Sequence, residues 1–161
     1  MDEVILIDHY DSFSRNVKAW LESAGWSVQH GYFDDPLFLS KAERSGLPLV
    51  LSPGPHDPNS VRPTVDLVRR QLGRVPILGI CLGHQILGVA TGSAIVRDER
   101  VAHGVVVEAY RSHPTPLLAG LPPVLRVARY HSLKLDDVSE DWEVILLSLI
   151  HISEPTRRYR I

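Results

Sequence analysis

The sequence has a single cysteine among its 161 residues, so no disulfide can form within the chain. It has no run of about 18 apolar residues, which excludes a membrane-spanning helix. The formal net charge of −2 gives no reason to expect nucleic acid or an anionic membrane surface as a partner. The first residues lack the basic start and the small-residue cleavage site of a secretory signal. We therefore expect a cytoplasmic protein.

Apolar runs and helical stripes alternate along the first ninety residues. The runs at 4–7, 47–51 and 75–80 are short and continuous, which is typical of parallel strands covered on both faces. Between them, apolar residues recur at helical spacing over 13–24, 61–72 and 82–91. After residue 92 the pattern predicts strands at 93–96, 101–110 and 124–130 without helices between them. The sequence thus predicts an α/β fold with a doubly wound, mostly parallel sheet and an antiparallel extension.

The strongest local signal is a G-x-C-x-G motif that follows an apolar strand and opens a helix. Cys81 lies at its centre, between Gly79 and Gly83. This arrangement is typical of a nucleophile elbow, a strained turn that projects the nucleophile above the sheet. The helix that follows should point its free N–H groups at the sulfur and favour the thiolate. The Leu82 N–H is then placed to donate to an oxyanion.

Residues 76–85, PILGICLGHQ, resemble the signature of class I, triad-type glutamine amidotransferases. Four further elements resemble the chorismate-using branch of that family, the small subunits of anthranilate synthase and aminodeoxychorismate synthase. In chain order they are DHYDSF with Asn16 at 8–16, LSPGP at 51–55, HG at 103–104 and RYHSL at 129–133. The resemblance covers about the first 145 residues and implies a flavodoxin-like fold.

The resemblance also implies a role for individual residues. Cys81 would attack the side-chain amide of glutamine, giving a glutamyl thioester and ammonia. Gly54 and Leu82 would supply the N–H groups of the oxyanion hole, and Gly54 would also contact the glutamine. Gln85, Ser132 and Leu133 would complete the glutamine site. Ammonia would pass to the large subunit of a chorismate-aminating synthase. No cofactor is implied, and the eight histidines lack the spacing of metal ligands.

Two features depart from the family pattern. His56 stands where the family commonly has a second glycine after the oxyanion loop. The H-x-E motif that supplies the family's base and its orienting carboxylate is expected about 40 residues after Leu133, and the printed sequence has only His151-Ile152-Ser153-Glu154. Residues from Leu147 onward resemble a translated sequencing adapter. We therefore expect an amidotransferase domain at 1–146, a read-through tail at 147–161, and no useful glutaminase activity.

Two other functions are open at this point. A chain without the base could be a non-catalytic module that binds glutamine or a synthase. The elbow could also belong to another thiol hydrolase of related fold, although Gln85, Ser132 and Leu133 would then have no purpose. Protection of Cys81 by glutamine against a glutamine-like reagent separates the second possibility from the amidotransferase.

Overall fold

The computed structural model describes residues 2–138 and 142–148, without the side chains of 98–103 and 148. The chain divides into two compact units, Met1–Ala94 and Ile95–Ile161, called here the N-terminal and C-terminal units. The elements of the first are β1 (Glu3–Asp8), α1 (Ser14–Ser23), β2 (Ser27–Tyr32), α2 (Pro36–Ser45), β3 (Leu49–Leu51), α3 (Arg62–Gln71), β4 (Ile77–Gly79) and α4 (Leu82–Ala90). Those that follow are β5 (Ala94–Arg111), a 3₁₀ turn (Pro116–Leu118), β6 (Val124–Asp136) and β7 (Leu146–Ser148).

The N-terminal unit is built on a four-stranded parallel sheet in the order β2-β1-β3-β4. Each strand is followed by a helix, as the alternating pattern predicts. Helix α2 shows how the sequence sets a boundary. Asp35 caps it by accepting from the N–H groups of Leu37 and Phe38, Pro36 occupies the first turn, and Gly46 ends it in the left-handed region.

Apolar side chains alternate between the two faces of this sheet. Val4, Leu6 and Val50 pack with Val17 of α1 on one face. Leu51 points to the opposite face, where a Cβ on Gly83 of α4 would lie 2.7 Å from its own Cβ. Helices therefore cover both faces, and the doubly wound α/β prediction is confirmed.

In the C-terminal unit, a second sheet has the order β6-β5-β7. Strands β5 and β7 run antiparallel, with Ala109 opposite Ser148 and Arg111 opposite Leu146. The prediction of an antiparallel sheet is confirmed. The prediction of separate strands at 93–96 and 101–110 was wrong, because a single strand of 18 residues, β5, runs through both.

The predicted boundary after residue 146 falls inside β7, whose three residues pair with β5. Residues 149–161 lie outside the described part of the chain, and they hold most of the predicted tail together with His151 and Glu154. Within the described residues, no helix is long and apolar enough to cross a membrane.

Candidate active site

Cys81 connects strand β4 to helix α4 in a strained backbone conformation. Its φ is 54° and its ψ is −106°, in a region that residues with a Cβ rarely adopt. The turn is held from both sides. Ile80 N–H donates to the Leu51 carbonyl oxygen at 3.1 Å, and Gln85 N–H donates to the Cys81 carbonyl oxygen at 3.1 Å. Cys81 is exposed. The predicted elbow, with an accessible sulfur on a strained turn, is therefore present.

The two glycines that flank Cys81 have no room for a side chain. A Cβ on Gly79 would lie 2.6 Å from His84 N and closer still to the backbone of Gly83. A Cβ on Gly83 would press on the carbonyl of Leu51. Neither glycine has a positive φ, so close approach of β3, β4 and α4 is what requires glycine here.

The acidity of Cys81 differs from the expectation. Its pKa lies above the ordinary value of 9.0, mainly because burial disfavours the thiolate. The Leu82 N–H lowers the pKa, as expected at a helix N-terminus, while the Asp11 carboxylate raises it. The expectation that α4 would favour the thiolate was wrong in its net direction, since desolvation and a nearby negative charge outweigh the helix.

These effects predict the reactivity of the thiol. The rate of alkylation by iodoacetamide should rise with pH and level off above the range of an ordinary cysteine. Asp11→Asn should move this inflection to lower pH, because it removes a negative charge that opposes thiolate formation. Asp66→Asn, on the exposed side of α3, is the matched control and should leave the profile unchanged. Identical profiles for Asp11→Asn and the unmodified protein would contradict the assignment.

Gly54 lies against Leu82, the residue that follows Cys81. A Cβ on Gly54 would meet Leu82 Cδ2 at 2.6 Å and His9 Cβ at 2.8 Å. The fold thus brings together the two residues that were predicted to form the oxyanion hole. Gln85 lies in the same helix as Leu82 and is buried. His56, the departure from the family pattern, packs its ring on Phe33 with a centroid distance of 5.5 Å.

His9 is fully buried beneath the loop that carries Gly54. Its backbone N–H donates to Ser52 Oγ at 2.9 Å, and its Nδ1 lies 3.2 Å from the same oxygen. Its Nε2 lies 3.2 Å from Thr64 Oγ1 on α3. Burial lowers the His9 pKa to about 4, an effect that His56 adds to and that Asp8 and the bond with Ser52 oppose. The imidazole is therefore neutral at physiological pH.

This shift predicts how stability depends on pH. Below pH 6.5 the unfolded chain binds a proton at His9 that the folded protein does not bind, so the free energy of unfolding falls until about pH 4. The loss is at most about 3 kcal/mol. Asp8 acts in a lower window: burial raises its pKa, but bonds from Ser14, His30 and Asp11 lower it more, so its contribution is lost below 3.8.

Urea unfolding measured across this pH range checks the prediction. His9→Asn should flatten the profile between pH 6.5 and 4 and keep the loss at lower pH. An unchanged slope in this variant would show that His9 does not titrate as described.

Ser132 and Leu133 lie in the C-terminal unit, on β6, and both are partly buried. The Leu133 carbonyl oxygen accepts from His131 Nδ1 at 2.9 Å. A Cβ on Gly104 would lie 3.5 Å from the hydroxyl of Tyr130, so the HG and RYHSL elements meet within this unit. The side chain of His103 lies outside the described part. No group of three His, Cys, Asp or Glu in the described ranges is placed to hold a metal ion.

Sequence reasoning assigned no role to His9, Asp11 or Thr64. Asp11 belongs to the DHYDSF element, so the motif itself marked it, but only the fold places its charge near Cys81. His9 is separated from Ser52 by 43 positions and from Thr64 by 55. The only available signal was a histidine that directly follows a fully apolar strand.

Comparison with known proteins agrees with this geometry. The family model for glutamine amidotransferase class-I matches residues 5–154, which is most of the chain. The chain belongs to the class I glutamine amidotransferase family. The match includes the elbow, the loop that carries Gly54 and the RYHSL element of β6. The resemblance to this family is confirmed, and glutamine amidotransfer is the enzymatic activity of the family.

Relatives of known name cover most of this chain. It is 41% identical over 144 residues to aminodeoxychorismate synthase component 2 of Serratia marcescens, covering 88% of this chain and 74% of that protein. It is 36% identical over 148 residues to anthranilate synthase component 2 of Helicobacter pylori, covering 89% and 75%. The crystal structure of a GMP synthase protein from Thermoplasma acidophilum has a TM-score of 0.78 at 22% identity, covering 92% and 73%. The structural likeness supports the fold alone.

Proposed function

We propose that this amidotransferase chain is the glutamine-hydrolysing component of a chorismate-aminating synthase, with Cys81 as its nucleophile. The observation that carries the proposal is the contact of Gly54 with Leu82, directly after a cysteine held in a strained elbow. The named relatives are second components of aminodeoxychorismate and anthranilate synthases. The proposed partner is therefore the large component of such a synthase, and the proposed location is the cytoplasm.

The proposed chemistry runs through a thioester. The Cys81 sulfur attacks the side-chain carbonyl carbon of glutamine, and the N–H groups of Gly54 and Leu82 donate to the oxygen that becomes negative. The carbon–nitrogen bond then breaks, and the leaving nitrogen departs as ammonia after it gains a proton. Water adds to the thioester and releases glutamate, which restores the thiol. Gln85, Ser132 and Leu133 are proposed to hold the glutamine.

The proton in this scheme needs a carrier. Because the Cys81 pKa is raised, the sulfur is protonated at neutral pH, and a base must remove that proton as the sulfur attacks. The contributions to this pKa come from burial, from Leu82 and from Asp11, and none of them is such a base. We infer that residues 1–161 by themselves bind glutamine without efficient turnover, because the family's H-x-E pair is not in the printed sequence.

Protection of the single thiol tests the proposal. Every alkylation by iodoacetamide reports on Cys81, since the chain has no other cysteine. L-glutamine should slow the reaction in a saturable way, and L-asparagine, one methylene shorter, should not. Gly54→Ala should remove the protection, because its Cβ would push on Leu82 and His9. Gly46→Ala is the matched control, since its Cβ would meet nothing within 4 Å.

Each outcome has a clear reading. Protection that Gly54→Ala removes and Gly46→Ala keeps supports a glutamine site at the elbow. Equal alkylation rates with and without glutamine would contradict the proposal and favour a different thiol hydrolase of this fold.

A further inference from the structure

The hydrogens around His9 can be assigned from the surrounding groups. The Ser52 hydroxyl has one hydrogen, and it donates this hydrogen to the Pro53 carbonyl oxygen at 2.6 Å. The same oxygen accepts from the His9 backbone N–H at 2.9 Å. It can therefore meet His9 Nδ1 only as an acceptor, so Nδ1 carries the ring hydrogen.

The other ring nitrogen completes this assignment. In a neutral imidazole that is protonated on Nδ1, Nε2 is an acceptor. It accepts from the Thr64 hydroxyl at 3.2 Å. The low pKa of His9 agrees with a neutral ring in which each nitrogen has one defined role. Thr64, on α3, thus selects the tautomer that donates to Ser52.

The chain of bonds ends on the Pro53–Gly54 peptide. The carbonyl that accepts from Ser52 and the N–H of Gly54 belong to the same planar, trans peptide unit. Fixing the direction of the carbonyl therefore fixes the direction of the Gly54 N–H, which points the opposite way. A histidine that instead accepted at Nδ1 would compete with Pro53 for the single Ser52 hydrogen.

We propose that His9 is a positioning residue that orients the Gly54 N–H, through Ser52 and the Pro53 carbonyl, for the developing oxyanion. The proposal rests on the proposed function for its catalytic meaning. His9 does not touch the reacting atoms, and its effect is the orientation of one peptide. Loss of the Nδ1 donor frees the Ser52 hydroxyl to rotate, and the Pro53–Gly54 peptide then samples other orientations.

Two amide side chains separate this role from mere filling of space. The amide nitrogen of asparagine can occupy the position of Nδ1 and donate to Ser52, so His9→Asn should rescue. Glutamine reaches the position of Nε2 instead, so His9→Gln should keep the bond to Thr64 and lose the one to Ser52. Ser52→Ala removes the link itself with little change in volume and should behave like His9→Gln.

The Gly54 amide is a clean reporter because prolines flank it on both sides. Its ¹⁵N order parameter should be about 0.85 in the unmodified protein and in His9→Asn, and should fall below about 0.6 in His9→Gln and Ser52→Ala. The His9 ring ¹⁵N shifts should show a protonated Nδ1, and Thr64→Val should mix the two tautomers. Equal order parameters in all variants, or a protonated Nε2 in the unmodified protein, would overturn the proposal.

A second readout reports on the consequence for glutamine. It is the rate of Cys81 alkylation by a chloroketone analogue of glutamine, divided by the rate with iodoacetamide. We expect this ratio to fall roughly tenfold in His9→Gln and Ser52→Ala and to stay within about twofold in His9→Asn. If the unmodified protein shows no preference for the glutamine analogue, the proposed function fails. The Gly54 order parameters then still decide whether His9 orients the peptide.

Discussion

Replacing Gly79 by alanine is expected to lower the free energy of unfolding by about 3 kcal/mol, which is a drop of roughly 10 °C in Tm. The new Cβ would meet His84 N at 2.6 Å and the backbone of Gly83. A flexible side chain could move aside, but here β4 and α4 would have to separate. Because this contact also holds Cys81 in its turn, the reactive geometry should be lost together with stability.

Gly25→Ala is the matched control for this change. Gly25 follows α1 with a φ of 91°, and a Cβ there would meet nothing within 4 Å. Alanine in the left-handed region should cost only about 1 kcal/mol. Urea unfolding of both variants measures the difference. Equal destabilisation would show that close packing beneath the elbow is not what requires Gly79.

The second large effect concerns turnover. Residues 1–161 by themselves should release glutamate and ammonia from glutamine at no more than the rate of Cys81→Ala. Removing the base of a nucleophilic residue typically costs about 10⁴- to 10⁶-fold in turnover. The raised pKa of Cys81 strengthens this expectation, because a protonated sulfur depends on a base more than a thiolate does.

Glutamate release is measured at high protein concentration over hours, beside Cys81→Ala under the same conditions. A rate that Cys81→Ala abolishes would show that some group in these residues acts as the base. That result would leave the nucleophile in place and replace the inference that turnover needs the family's H-x-E pair.

The sequence predicted the elements that depend on local pattern. The apolar run at β1, the Asp35 cap of α2 and the strand–helix elbow at Cys81 each follow from residues close together in the chain. Strand β5 was predicted as two strands because charged residues at 97–100 interrupt the apolar pattern. An antiparallel strand tolerates such residues on an open face, so the interruption did not end it.

The candidate site shows the limit of the same reasoning. The positions of Gly54 and Cys81 could be predicted as motif members, but their surroundings come from tertiary packing. A helix N-terminus by itself favours a thiolate, whereas burial of the sulfur and the charge of Asp11 reverse the net effect. The His9 network joins β1, the loop after β3 and α3, and no local pattern specifies such a contact.

The central claim is that Cys81 is a nucleophile set in a glutamine site. The most direct test is intact mass after incubation with the chloroketone analogue of glutamine, beside the same reagent one methylene shorter. The account predicts one adduct per chain, formed on Cys81, faster with the glutamine-length reagent and suppressed by L-glutamine. Equal rates for the two reagents, with no suppression by glutamine, would contradict it.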